Sequence, residues 1–289
     1  MTNNLAVSGS FLRRKFSDQR HVRISAWHDL IKDTQRDRHV PLFTDREEEL
    51  RSFFRLSKSD LWTLYLSRGF PNSKRYRDFL DGFFEGRTDR LNLKSAYDQA
   101  SFYYAVRLML AFERYTTFTP YLERLFPLVG AHRTFAGTRV LEYGCGVSDI
   151  GLLCNLLGAR VTICDIADKK LEFAMWRHKI RGHEVATIPI QDTEEIPDLG
   201  EDRYDLIIAT EIFEHVRDPF RLLAAFTRSL RPSGVLFDSM GGTFAREVRG
   251  DHLAEALAIG NSDPYRSFYE RHYRQPYKGE GLSFLFIRR

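Results

Sequence analysis

Residues 139–166, RVLEYGCGVSDIGLLCNLLGARVTICDI, decide the fold. An apolar run containing Val140 and Leu141 leads into a turn with Gly144 and Gly146, then a helical stretch, then a second apolar run that closes on Asp165. An apolar run of this length ending in glycine reads as a strand buried on both faces, and glycine lets the backbone turn tightly and come close to a ligand. Strand, turn, helix and strand form one βαβ unit with its strands parallel. Asp165 follows Gly146 by nineteen residues, close to the roughly 20-residue offset at which a carboxylate reaches ribose hydroxyls across such a unit.

A dinucleotide site wants a third glycine at position 149, where the helix start receives a pyrophosphate, but the chain has Asp149. A carboxylate facing a diphosphate is unfavourable. A cationic ligand without phosphates fits better, with Glu142 and Asp149 facing its amine or sulfonium, and S-adenosylmethionine is such a ligand. The stretch Glu142-Tyr143-Gly144-Cys145-Gly146-Val147-Ser148 resembles the first motif of class I S-adenosylmethionine-dependent methyltransferases, acidic-x-Gly-x-Gly-x-Gly, with Ser148 in place of the third glycine. The resemblance covers residues 136–289 and continues, in the family's order, through Gln191-Asp192, YDLIIATEIFEHV at 204–216, and Leu230 to Gly234 leading into a strand. It implies a donor site made of Glu142, Gly144, Cys145, Gly146, Asp165, Ile166, Gln191, Asp192 and Glu211.

From 139 onward strands alternate with helices, near 139–144, 160–165, 184–190, 204–210, 234–239 and 282–288, which predicts an α/β fold: a Rossmann-like, doubly wound, mostly parallel sheet. Ligands of such sheets bind at the carboxyl ends of the strands, where Glu142, Asp165, Asp192 and Glu211 fall. The resemblance implies that the last strand, Leu282 to Ile287, is an antiparallel edge strand. Before residue 136 the apolar residues recur at three and four, as in Leu50, Phe53 and Phe54 or Tyr97, Phe102, Ala105, Leu108 and Phe112. The expected organisation is a helical N-terminal module, 1–135, capping the substrate site of a methyltransferase domain, 136–289. The module's many aromatics, among them Trp62, Tyr65, Phe79, Phe83, Phe84, Tyr103 and Tyr104, read chiefly as core, with a minority lining an acceptor pocket.

Composition sets bounds on function. With 43% hydrophobic and 28% charged residues in 289, the chain is globular rather than disordered, and no apolar run approaches the roughly 18 residues that cross a bilayer. The N-terminus lacks an apolar signal region, so a cytoplasmic protein is expected, with no membrane partner and with Cys145, Cys154 and Cys164 as reduced, buried thiols. A net charge of +4 is well short of the concentrated positive face of a tight nucleic-acid binder. The cluster Arg13, Arg14, Lys15, Arg20 and Arg23 reads as a solvated face, with a polyanion contact as the alternative. A homodimer is the default for soluble enzymes.

Methyl transfer from a sulfonium is an in-line displacement, so the protein positions donor and acceptor and handles the acceptor's proton. Glu211, Glu214 and His215 are spaced i, i+3, i+4, which predicts one side of a helical turn just past the fourth strand. Two carboxylates and an imidazole there suit a divalent cation, magnesium or manganese, that would lower the pKa of a bound hydroxyl. The segment resembles the Glu-x-x-Glu-His motif of ubiquinone-biosynthesis-type O-methyltransferases and of enzymes that methylate the terminal 2′-hydroxyl of small RNAs. In the RNA group a later histidine completes the site, which points to His252. Metal-free methyltransferases also carry Glu-His-Val here, which leaves His215 as a general base or as pocket lining. His178, His183 and His272 read as surface or loop residues, and Asp205 as a partner of local backbone amides.

The reading is therefore an S-adenosylmethionine-dependent methyltransferase acting on an oxygen of a small molecule, with Glu211, Glu214 and His215 at the acceptor. The alternatives are an RNA 2′-O-methyltransferase and a non-catalytic, partner-binding domain that retains the fold.

Overall fold

The computed structural model describes residues 46–70, 73–87, 92–111, 118–130, 133–239, 250–277 and 284–289. The basic cluster at Arg13 to Arg23 and Phe112 lie outside them. Four helices come first: α1 (Arg46–Phe54), α2 (Lys58–Arg68), α3 (Lys74–Asp81) and α4 (Leu93–Ala111). A 3₁₀ turn (Thr119–Tyr121) runs into α5 (Leu122–Val129). Then follow β1 (Arg139–Tyr143), α6 (Asp149–Leu156), β2 (Arg160–Ile166), α7 (Lys169–Lys179), β3 (Ala186–Ile190) and β4 (Tyr204–Ala209). A 3₁₀ turn (Phe213–His215), α8 (Pro219–Ser229), β5 (Leu230–Asp238), α9 (Ala254–Gly260), α10 (Asp263–His272), β6 (Tyr273–Arg274) and β7 (Leu285–Arg288) complete the chain.

The strands form one seven-stranded sheet in the order β3-β2-β1-β4-β5-β7-β6. The first five are parallel, and β7 runs antiparallel to both β5 and β6. The expected doubly wound, mostly parallel sheet is therefore present, with one correction: β7 lies between β5 and the two-residue β6, which is the edge. So short a strand, set right after α10, leaves no periodic signal to read. β5 also starts earlier than the glycine at 234 suggested, because Leu230 pairs with Tyr204 before a register shift restores the ladder at Val235.

The order reverses between β1 and β4, the switch point at which open α/β sheets bind ligands. Tyr143 is level with Cys164 on one side and Ala209 on the other. This register brings Gly144, Asp165 and Thr210, each one residue further on, to the same end of the sheet. Its strands are apolar on both faces because each face is covered: α5 and α6 pack with Val140, Ile163 and Ile208, while α8, α9 and α10 pack with Leu141, Ile207 and Leu236. The segment from Phe118 to Phe126 thus belongs to the sheet's core.

Helices α1, α3 and α4 share a third cluster with Val147 and Phe173. Phe53 meets the Phe173 ring at 5.1 Å and Trp176 at 5.6 Å, which docks α1 on α7. Beside these rings lies a buried ion network. Arg177 binds Glu49 and Asp149, each at 2.7 Å, Arg46 reaches Asp149 at 2.7 Å, and Arg181 closes on Glu49. Asp149 begins α6 directly behind the glycine turn, so these ions tie α1 to the loop that faces the ligand cavity.

Candidate active site

A cavity of about 1090 Å³ opens at the switch point, lined from below by Gly144, Gly146, Asp165, Ile166, Ile190 and Glu211 and from above by Tyr97, Tyr104 and Arg107. Gly144 and Gly146 have φ of 63° and 60°, a region where side chains are strained. At Gly144 an added Cβ would collide with the Ile212 side chain. Ser148 is also left-handed, at φ 54°, and is held there: its hydroxyl donates to Glu142 Oε2 at 2.7 Å and lies 3.0 Å from His178 Nε2.

That contact corrects two expectations. Glu142 does not line the cavity. Its carboxylate is buried and accepts from Ser148 Oγ and, at 3.0 Å, from the Gly151 amide, so it braces the loop from behind. Asp149 likewise faces Arg46 and Arg177 rather than a ligand. His178, read as a surface residue, is fully buried between Ser148 and Asn155. Burial, and then the charges of Arg177 and Arg181, press its pKa down to about 3, and it is neutral.

Asp165 stands where the sequence put it, on the cavity wall at the end of β2. Its Oδ2 accepts from the Gly146 amide at 2.6 Å, and its Oδ1 accepts from the Ile166 amide and from Lys170 Nζ, both at 2.7 Å. Ile166 also lines the cavity. Cys145 is buried, and its amide donates to Cys164 O at 3.1 Å, which stitches the loop to β2 rather than presenting the thiol. Gln191 and Asp192 are displaced from the wall. Gln191 is exposed, Asp192 turns inward on its own loop to accept from the Glu194 amide, and Ile190, Thr193 and Glu195 line the cavity instead.

Past β4 the expected helical turn is shorter than its spacing implied. Only Phe213–His215 is helical, a 3₁₀ turn, and Glu211 precedes it at φ 54°. The Glu211 amide and carboxylate both meet Ser239 Oγ, at 2.8 and 3.2 Å. The residues whose ligating atoms converge are Glu214, His215 and His252, all within 4.8 Å of one another, with the two imidazoles 5.0 Å apart. Glu214 is buried, and neither of its oxygens has a hydrogen-bond donor among the described residues. His215 Nε2 comes to 3.6 Å of its Oε1.

The residue that sequence reasoning missed is Asp251, next to His252. Tyr97 and Tyr104 from α4 donate to its Oδ2 at 3.1 and 3.0 Å, and His215 Nδ1 lies 3.3 Å from the same oxygen and 3.2 Å from the Asp251 carbonyl. Burial alone would lower the His215 pKa, but Asp251 and Glu214 together raise it. Burial also raises the Glu214 carboxyl, against the opposing pull of His215. The other acid at a strand end, Asp238, is buried and accepts from Tyr269 at 2.8 Å, whereas Asp205 accepts the Arg139 amide at 2.8 Å, as a local backbone partner should.

Among families of known domains, one described as a methyltransferase domain matches residues 141–236, from β1 into β5. The chain is 30% identical over 144 residues to a ubiquinone biosynthesis O-methyltransferase of Xanthomonas oryzae pv. oryzae, a stretch covering 48% of this chain and 60% of that protein. It is 34% identical over 110 residues to the protein of the same name from Mesorhizobium japonicum, covering 37% and 42%. The chain thus spans about half the length of the curated relatives it matches. Among solved structures, an S-adenosylmethionine-dependent methyltransferase from Mesorhizobium loti is similar at 24% identity and a TM-score of 0.35, over 42% of this chain and 52% of that one. A phosphoethanolamine N-methyltransferase from Haemonchus contortus, solved with S-adenosyl-L-methionine, is similar at 21% identity and a TM-score of 0.35, over 42% and 27%. The strand order, the glycine turn at the switch point and the matched residues agree: residues 141–236 of the chain carry a methyltransferase domain on a Rossmann-like sheet.

Proposed function

We propose that the chain transfers a methyl group from S-adenosylmethionine to an oxygen of a small molecule bound between the sheet and α3–α4, with Glu214, His215 and His252 at the acceptor. The observation that carries this reading is the Glu214 carboxylate, buried beside two imidazoles with no donor of its own. A buried carboxylate with no hydrogen-bond donor among the described residues is costly, and such groups concentrate where a ligand supplies the missing partner. The O-methyltransferase names of the curated relatives support oxygen as the acceptor atom. We assign the donor end to Gly144, Gly146, Asp165 and Ile166, which line the cavity with Glu211, and we read the helices before residue 118 as the module that caps the acceptor.

Glu214, His215 and His252 also fit a divalent cation, since one carboxylate and two imidazoles offer three donors on one spot. With Glu211 turned to Ser239, the set is richer in nitrogen than the sequence implied and favours manganese, iron or zinc over magnesium. A bound cation would act as a Lewis acid on the acceptor hydroxyl. The protein's own residues hold that hydroxyl in line with the methyl group and, through Tyr97 and Tyr104, close the wall above it.

The test is incubation with methyl-labelled S-adenosylmethionine, with and without manganese, and a panel of phenols, catechols and aliphatic alcohols beside a short oligoribonucleotide. Label in a methyl group newly bonded to a small molecule's oxygen is expected; label in the RNA alone overturns the small-molecule reading. No described helix is long and apolar enough to cross a membrane.

A further inference from the structure

We propose that Lys170 reads the ribose of the methyl donor jointly with Asp165: one hydroxyl of the diol donates to Asp165, and its neighbour accepts from Lys170. The inference rests on the donor site assigned above. A carboxylate has about four lone-pair directions, two on each oxygen. In Asp165, Oδ1 already accepts from the Ile166 amide and from Lys170 Nζ, and Oδ2 accepts from the Gly146 amide. Among the described residues one direction remains, on Oδ2. Asp165 alone therefore has room for one ribose hydroxyl rather than two.

Lys170 supplies the second contact. Its ammonium has three hydrogens and no acceptor. One goes to Asp165; Asp168 Oδ2, at 3.9 Å, is beyond hydrogen-bond reach. Lys170 lines the cavity together with Asp165, although its side chain is only 8% exposed. Its backbone is fixed, because the amide donates to Asp168 Oδ1 at 2.9 Å and to Ser101 Oγ at 3.1 Å. An ammonium held so close to the carboxylate presents a donor beside an acceptor, and two adjacent hydroxyls offer the complement.

The experiment is calorimetric titration of the full chain with S-adenosylhomocysteine and its 2′-deoxy and 3′-deoxy forms, on the wild type and on Lys170→Met and Lys170→Gln. In the wild type each deoxy form should bind about tenfold more weakly, as expected when a hydrogen bond to a charged group is lost. In Lys170→Met the discrimination against one deoxy form should fall below twofold while the other persists. Lys170→Gln, which keeps an N–H donor without the charge, should restore part of it. Wild-type indifference to either hydroxyl, or both discriminations retained in the two variants, overturns the shared reading while leaving the donor site intact. Failure of the wild type to bind S-adenosylhomocysteine at all overturns the donor site, and this inference with it.

Discussion

Asp149 and Glu214 are both carboxylates at 1% exposure, one behind the glycine turn and the other past the end of β4, and their surroundings are opposite. Asp149 accepts three hydrogen bonds from Arg46 and Arg177. Burial pushes its carboxyl up, but the two guanidinium groups outweigh that and hold it below the usual range. Glu214 accepts none from the described residues, and burial leaves its carboxyl raised. A buried charge that is fully paired belongs to the scaffold, whereas one left without donors weakens the fold and is kept where the chemistry needs it. The two halves of the cavity wall differ in the same way: the proposed donor side is nearly saturated with internal hydrogen bonds, keeping one open direction on Asp165, and the proposed acceptor side keeps an open carboxylate.

The sharpest way to break this comparison is Arg177→Met. It takes from the buried Asp149 and Glu49 one of the two arginines that each is paired with, leaving Arg46 and Arg181, and removing one partner of a buried pair typically costs about 3–5 kcal/mol. Urea denaturation should show a loss of that size, and a loss below about 1 kcal/mol would mean that the network is not what holds α1 against the loop.

Glu214→Gln tests the other side. The substitution replaces a desolvated acid by a neutral amide of the same shape, so the melting temperature should hold or rise. The sign follows from the raised carboxyl: its contribution to stability is present at low pH and is lost as pH rises through its folded pKa, and the amide lacks that loss. Methyl transfer should nevertheless fall about 100-fold, or roughly 2.7 kcal/mol of barrier. A stable variant that retains full activity would make Glu214 a packing residue and remove the basis of the acceptor assignment.

How far the positions of these residues could be read from the chain depends on the distance to their partners. Gly144, Gly146 and Asp165 were legible because a strand, a turn and a strand fix them within one local unit. Asp149 was misread because its partner Arg46 lies 103 residues away, and no spacing rule reports that. Gln191 and Asp192 were misplaced because a loop after β3, unlike a strand, does not fix which residues face inward. Glu214, His215 and His252 were named, yet the i, i+3, i+4 spacing overstated Glu211, since the backbone leaves helical φ at that residue.

His178 extends the comparison to a titrating group on the saturated side. Its folded pKa of about 3 lies below the ordinary 6.5. The fold therefore keeps its full stability above pH 6.5 and loses it as pH falls toward 3, because the unfolded chain binds the proton first. Between pH 7 and pH 5.5 this amounts to about 1 kcal/mol. His178→Asn should be weaker than the wild type at pH 7 and should lack that part of the pH slope; equal slopes in the two proteins would show that His178 is accessible to protons in the fold.

The smallest effect expected is that of Tyr104→Phe, and it asks whether the two halves of the wall are independent. Asp251 keeps its contacts with Tyr97 and His215 in this variant, so the loss should be about 0.5–1 kcal/mol rather than the full value of a bond to a charged group. The loop carrying His252 would still be anchored, but less firmly, and kcat/KM for the acceptor should fall by less than tenfold while affinity for S-adenosylhomocysteine stays as in the wild type. Because Tyr97 and Tyr104 both end on Asp251, the double variant should lose more than the sum of the single ones. A parallel drop in affinity for S-adenosylhomocysteine would show that the tyrosines act on the donor side as well, and that the saturated and open halves of the cavity are one coupled wall.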